Sequence, residues 1–434
     1  MRSSQSLSGS TTKTKKSADC KSKKLVILLA SLTLIGLMST HIVFPQLTKY
    51  TIIYNTGSIS TQQVTAKSGS PQDIQAAINI VSSAGGGTVY VPEGEYEFNP
   101  PQTQWGTAVE VPGGVNVIGA GKGKTILKQT VTTSGLTTYL FGIDGTNGKP
   151  SRISGFTLQV TGLDEEEPEG SDTVGIDVGD ARDFRIDHIS FYNFTNMAIY
   201  TENARGVIDH CDFDNPYKDD TSVPPEGRIW GYGIVVVGAW NYWASNITNL
   251  LGHYDDLDTV VYIEDCTFRR CRHCIAANGG AHYVARHNYF TEMILAHYAS
   301  YIDAHGGTPS AIGTRCVEIY DNVIEDSPCD NRSLSDPQYW GQYLGLGIGI
   351  RGGGGVIFNN TIKYCLNGIR LYSDFAYEQT KPHDIWIWNN TFINVDNPFD
   401  AWQTPINITE NVDYFLNAKS GYTPYPYPHP LTLG

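Results

Sequence analysis

A pattern that returns seven times between residues 185 and 392 constrains this chain more than any other feature. Two alternating apolar positions are followed by a polar pair and then a large apolar residue. The copies read RIDHISF at 185–191, VIDHCDF at 207–213, YIEDCTF at 262–268, VARHNYF at 284–290, EIYDNVI at 318–324, VIFNNTI at 356–362 and IWIWNNTF at 385–392. Their terminal residues Phe191, Phe213, Phe268, Phe290, Ile324, Ile362 and Phe392 are spaced 22, 55, 22, 34, 38 and 30 residues apart. A common minimum with irregular excesses is the signature of a coil of short strands whose corners tolerate insertions. Helical arrays would show a 3.6-residue period, which is absent.

A second series is offset from the first: GIDV at 175–178, AIYT at 198–201, GIVVV at 233–237, CIAAN at 274–278, YIDAH at 301–305, GIGIR at 347–351 and GIRLY at 368–372. Each turn therefore supplies at least two strands. Stacked turns pair parallel strands about 4.8 Å apart, and the crossover sense favours a right-handed coil. The expected fold is all-β, a right-handed single-stranded parallel β-helix over residues 70–395. Asn288, Asn322, Asn360 and Asn390 fall in register, as do Cys211 and Cys266, which predicts an internal ladder at one corner.

The coil's start is legible in SPQDIQAAINIVSSAGGGTVYVPEGEYEF at 70–98, which reads as an amphipathic capping helix, a glycine break and a strand. A helix there would cover an otherwise sticky sheet edge. In this helix, the GGGTV strand and the PEGEY turn, the chain resembles the pectin-lyase-like superfamily of right-handed β-helices. The resemblance covers roughly residues 70–395 and implies the fold. It leaves the activity open, because polysaccharide lyases, glycoside hydrolases, epimerases, tailspikes and adhesins share that fold. The Pro-rich segment GYTPYPYPHPLTLG at 421–434, within the tail 396–434, is expected to pack along the coil or close its far end.

Ahead of a linker at 45–69, Lys13, Lys15, Lys16, Lys21, Lys23 and Lys24 lie in a basic tail, 1–24, that runs into the uncharged apolar stretch 25–44. That stretch is long enough to span a bilayer, with the lysines on the cytoplasmic side. The expectation is an uncleaved membrane anchor with the coil outside, and a cleaved signal peptide for secretion is the alternative. Without residues 1–48 the bases fall from 30 to 23 and the acids from 44 to 43. So acidic a surface repels nucleic acid phosphate, and repels polyanionic sugars unless a divalent cation bridges them. Sequons at Asn193, Asn246, Asn331, Asn359, Asn389 and Asn407 suit an exported glycoprotein, although Asn359 and Asn389 sit in the repeat and can be structural. The lone CxxC of Cys271 and Cys274 lacks a second pair at zinc spacing, so a disulfide or buried thiols are expected.

In the second series the isoleucine and the residue two later point inward, which leaves two outward columns. One is Asp177, Tyr200, Val235, Ala276, Asp303, Gly349 and Arg370. The other is Gly179, Glu202, Val237, Asn278, His305, Arg351 and Tyr372. Asp303, His305, Arg351 and Arg370 occupy three successive turns, within about 10 Å of one another, and Ala276 and Gly349 would leave room for a ligand. Asn278, Glu202 and Tyr372 share that face. Loop tryptophans Trp230, Trp240, Trp243 and Trp340 are candidates for stacking on sugar rings.

Two chemistries suit such a groove. A lyase removes the proton beside a uronate carboxylate, with Arg351 or Arg370 as base and His305 as acid, while a basic residue or calcium, held by Asp303 with Asp255, Asp256 and Asp258, neutralises the carboxylate. A hydrolase needs two carboxylates, and the nearest acid to Asp303 in the columns is Glu202, three turns and about 14 Å away. The stretches AHGG at 304–307 and GIRLY at 368–372 are similar to elements of the polygalacturonase-type hydrolases, but the adjacent aspartate pair of that group has no counterpart here. The sequence expectation is a polysaccharide lyase acting on a uronate polymer. A non-catalytic surface glycan binder and a glycoside hydrolase are the alternatives.

Overall fold

The computed structural model of the protein describes residues 62–131, 135–161, 172–215, 231–240, 249–254, 259–292, 300–307, 312–326, 345–372, 382–402, 412–414 and 418–433. The candidate membrane span 25–44 lies outside them, and among the described residues no helix is long and apolar enough to cross a membrane.

The described strands form three sheets, of twelve, ten and ten strands, and every pairing between neighbours is parallel. The chain visits the sheets in rotation, as in Thr173–Gly179, Arg182–Asp187, Ser190–Tyr192 and then Met197–Glu202 beside the first of these. This is a parallel β-helix with three strands per turn, one more than the minimum the repeat required. We call the sheets the column sheet (Thr173–Gly179 and its neighbours), the long sheet (Arg182–Asp187 and its neighbours) and the phenylalanine sheet (Ser190–Tyr192 and its neighbours). Strands run from Gln62 to Tyr414, one before and two after the span read from the repeat.

The repeat encodes the tight corner between the long and phenylalanine sheets. His188, His210, Asp265, His287, Asp321, Asn359 and Asn389 all have φ between 53° and 57° there. Left-handed backbone is tolerated best by residues such as Asn, Asp and His, whose short polar side chains can bond locally, which explains the residue types at this position. The next residue turns inward. Asn288 takes the Oδ1 of Asn322 on its backbone N–H at 3.0 Å, Asn322 takes that of Asn360 at 3.1 Å, and Asn360 takes that of Asn390 at 3.0 Å. Cys266 heads the ladder through Asn288 Oδ1 at 3.0 Å. Two residues further along, Phe191, Phe213, Phe268 and Phe290 stack with ring centroids 4.9, 4.5 and 4.9 Å apart. Each buried ring contributes about 1.5–3 kcal/mol of transfer free energy.

The amphipathic helix α1, Pro71–Ser83, buries Pro71, Ile74, Ala77, Ile78 and Val81 against the first turns, and Ser70 caps it by accepting the N–H of Asp73. At the other terminus, the Pro-rich tail lies along the long sheet rather than continuing the coil. Arg286 donates to the carbonyls of Tyr425 and Pro426 at 2.7 and 2.9 Å, His429 N–H reaches Glu264 at 2.8 Å, and Tyr422 Oη donates to Glu318 at 2.6 Å. The six described cysteines, Cys211, Cys266, Cys271, Cys274, Cys316 and Cys365, are all buried, and the pair Cys271 and Cys274 is a pair of thiols rather than a disulfide.

Candidate functional site

The column sheet carries the site, because its strands hold the predicted columns in ladder register. Asp177 pairs with Tyr200, Tyr200 with Val235, Val235 with Ala276, Ala276 with Asp303, Asp303 with Gly349 and Gly349 with Arg370. The intervening Ile176, Ile199, Ile234, Ile275, Ile302, Ile348 and Ile369 are fully buried in the core. Alternation along each strand therefore aims the column residues outward.

On the later turns the structure joins Asp303, Arg351 and His305. Arg351 reaches Asp303 through two hydrogen bonds, Nε to Oδ1 at 3.0 Å and a terminal nitrogen to Oδ2 at 2.5 Å. Asp303 is only 1% exposed. Burial pushes its carboxyl up, but the charge of Arg351 and the hydrogen bonds it donates outweigh burial and hold it below the ordinary carboxylate range. His305 donates from Nδ1 to the Gly306 carbonyl at 2.6 Å, which makes Nε2 its acceptor nitrogen.

Arg370, one turn beyond Gly349, is buried and paired instead with Asp400 at 2.8 Å and with Asn367 at 3.0 Å. Asp400 extends the first column by one turn and was not recognised in the sequence, since the repeat fades after residue 392. The room expected over Gly349 is small: a β-carbon there would meet Leu346 at 3.1 Å and Ser300 and Tyr372 at 3.5 Å. Ala276 packs with Val235, Val237, Met197, Tyr200 and Tyr232 in an apolar patch on the outer face. Asn278 spends its Oδ1 on the N–H of Gly279.

Two neighbours of this group were not singled out as site residues from the sequence. His273, beside Ser300, is fully buried, and its imidazole is pushed down to about 3 by burial, so it is neutral at physiological pH. Tyr232 lies beside it with ring centroids 5.2 Å apart, and burial raises its phenol. Their signal was present, since they align in a third line, but Gly233 faces core Phe268 next to buried Ile234, so the two-residue alternation breaks there.

On the earlier turns lies a different group. Glu202 accepts from the Tyr200 hydroxyl at 3.2 Å and from the Trp240 indole N–H at 3.0 Å. Asp177, one turn before Tyr200, is raised to about 7 by burial first, then by the charges of Glu202 and Glu110. Trp230, Trp243 and Trp340, with Asp255, Asp256 and Asp258, lie outside the described residues. Among the described residues one group gathers metal-ligating atoms, Asp187, His188 and Asp209, within 4.8 Å of one another. Its carboxylates are already held by Arg152 at 2.6 Å and Arg185 at 2.9 Å, and it offers an imidazole where calcium prefers oxygen, so it does not fit that ion.

Three parallel ladders with an α-helical cap define the class: a pectate-lyase-like parallel β-helix. No family model matches the chain. It is similar to mannuronan C5-epimerase AlgE3 of Azotobacter vinelandii, 36% identical over 78 residues, which is 17% of this chain and 4% of that protein. It is also similar to alginate lyase 7 of the same organism, 44% identical over 55 residues, or 13% and 6% of the two chains. The chain thus matches only a small part of these relatives' length. Among solved structures, the A-module of A. vinelandii mannuronan C-5 epimerase AlgE4 is 14% identical with a TM-score of 0.47, covering 80% of this chain and 89% of that one. The tailspike of E. coli bacteriophage HK620, in complex with a pentasaccharide, is 14% identical with a TM-score of 0.47, covering 81% and 62%. The fold assignment rests on the strand pairing rather than on these scores.

Proposed function

We propose that the protein is a carbohydrate-active β-helix that removes the proton beside the carboxylate of a uronosyl residue, ending in elimination as a polysaccharide lyase. The observation that carries this reading is the Asp303–Arg351 pair with His305 on the same outward wall. Proton abstraction next to a carboxylate needs a fixed cation to neutralise the carboxylate and a base within hydrogen-bond reach of the carbon acid. Asp303 fixes the guanidinium plane of Arg351 through two bonds, so Arg351 is suited to receiving a carboxylate. A guanidinium held this way stays protonated, which favours Nε2 of His305 as the base. A phenol on the same sheet, such as that of Tyr232, would protonate the departing glycosidic oxygen. The printed identities of the curated relatives, epimerases of mannuronan and an alginate lyase, support a uronate substrate. Both chemistries begin with the same proton.

Calcium held by Asp255, Asp256 and Asp258 would offset the acidic surface against a polyanionic substrate. The basic tail and apolar stretch at the N-terminus support a coil displayed outside the cytoplasm, anchored or secreted. The test is a panel of uronate and neutral polysaccharides incubated with residues 50–434, with and without calcium, followed by ultraviolet absorbance of the unsaturated product. The reading predicts absorbance from a uronate polymer alone, abolished by His305→Ala. Release of reducing ends from a neutral polymer without that absorbance would favour a hydrolase, and no change in any polymer would favour a glycan binder.

A further inference from the structure

The early turns of the column sheet present a second built surface that uronate chemistry does not use. Glu110, Gly142, Asp177 and Tyr200 follow one another in one line, with Asp144, Gly179 and Glu202 in the line beside it. Two glycines thus interrupt the wall between carboxylates. A β-carbon built on Gly179 would meet nothing within 4 Å, so open space lies over that position. Over Gly142 the nearest atom is Oε2 of Glu110, at 2.8 Å from such a carbon, which places that carboxylate above the glycine floor.

Two exposed indoles adjoin this sheet, Trp105 just before the strand of Glu110 and Trp240 just after the strand of Val237. Trp105 is 61% exposed and stacks on Tyr139, a strand neighbour of Val174, with centroids 6.2 Å apart. Trp240 is 43% exposed and anchored through its N–H to Glu202 at 3.0 Å. Ring faces of this kind suit the apolar faces of sugars. No hydrogen bond or ion pair from a described residue reaches the Asp177 carboxyl. The groups facing it are Glu110, Glu202, Tyr139 and Tyr200, and both phenols are raised by burial and by the nearby carboxylates. A uronate placed here would add a further anion to three carboxylates that already repel.

We infer that these turns form a second glycan subsite for a non-anionic sugar chain, whose rings stack on Trp105 and Trp240 and whose hydroxyl or ammonium hydrogens donate to Glu110, Asp177 and Glu202. Its Asp177 lies four turns, about 19 Å, and its Glu202 three turns, about 14 Å, from the Asp303 strand along the sheet, and it does not depend on the reaction assigned there.

The experiment is calorimetric titration of residues 50–434 with three hexasaccharides: a neutral glucan, a deacetylated chitooligosaccharide and an oligouronate. Binding of either of the first two is expected. A response to both identifies hydroxyl donors, and a response to the amino sugar alone identifies the ammonium. Trp105→Ala, Glu202→Gln and Gly179→Leu should each weaken that binding by roughly tenfold or more, the loss of about 1.4 kcal/mol, while His305→Ala leaves it unchanged. Gly179 lies in ordinary extended backbone with space above it, so the leucine tests occlusion without removing a charge, and circular dichroism checks that it folds. If it does not fold, Trp105→Ala carries the test. Absence of binding by both non-anionic probes, or binding indifferent to Trp105→Ala and Gly179→Leu, would overturn the inference.

Discussion

Two carboxylates on one wall of this coil, Asp177 and Asp303, occupy equivalent outward positions four turns apart and meet opposite electrostatic conditions. Asp303 is sealed from water and clasped by Arg351 through two hydrogen bonds, so its charged form is favoured. Asp177 is half-buried among Glu110, Glu202 and two phenols, so its neutral form is favoured up to about 7. The backbone is the same in both places. What differs is the side chain one turn on and two residues along, Arg351 in one case and Glu202 in the other. A β-helix therefore sets the charge state of a wall position through its diagonal neighbour, and one face can hold a cationic and an acidic station at once.

The comparison breaks most visibly at Arg351. Its replacement by alanine strands a buried carboxylate and should cost about 3–5 kcal/mol, read as a lower denaturant midpoint with an unchanged slope. The double variant Asp303→Asn, Arg351→Ala should recover most of that loss. Equal damage from the single and double variants would mean that the pair is not coupled.

Asp177 should behave in the opposite sense. Its folded value lies above the unfolded one, so the native state keeps a proton that the unfolded chain releases between about pH 4 and 7. Stability falls as pH rises through that window, and the penalty is complete above it. Three units correspond to about 4 kcal/mol at most, and partial solvent access reduces this to about 2. Asp177→Asn should therefore raise the melting temperature at pH 8 and lose that advantage toward pH 4. Asp303 has the reverse dependence: its contribution is present above the usual carboxylate value near 3.8 and is lost as pH falls through the lower folded value.

The smallest effect concerns the shared scaffold. Asn322→Leu interrupts the corner ladder between Asn288 and Asn360 and should cost about 1–3 kcal/mol in unmet hydrogen bonds. It should leave ligand binding at both stations intact, because the ladder lies at the corner between the other two sheets. A change in sugar affinity would show that the stations are coupled through the core.

Much of this architecture was legible in the sequence, because a stacked coil repeats one steric demand at each corner. Left-handed backbone calls for His, Asp or Asn at 188, 210, 265, 287, 321, 359 and 389, the following position turns inward, and the two outward columns follow by counting in twos. The same counting placed Asp303, Arg351 and Arg370 on successive turns. Pairing on the wall was harder to read, since it depends on diagonal reach and local bends. Arg370 turned to Asp400 beyond the clear repeat, Leu346, Ser300 and Tyr372 filled the space over Gly349, and the adjacent inward positions Gly233 and Ile234 hid the line of Tyr232 and His273. Asp177 and Glu202 stood in adjacent columns in the alignment, but only their partial burial and the lack of a cation beside them among the described residues make them a pair.

The most direct test of the assigned chemistry follows the proton itself. An oligouronate is incubated with the protein in deuterated water, with and without calcium, and its hydrogen beside the carboxylate is followed by NMR. The wild-type chain should exchange that hydrogen for deuterium or eliminate it, and His305→Ala should do neither while melting within about 0.5 kcal/mol of wild type, as a partly exposed substitution allows. Retention of the hydrogen by the folded wild-type protein under both conditions, or undiminished exchange by His305→Ala, would contradict proton abstraction at the Asp303–Arg351–His305 group.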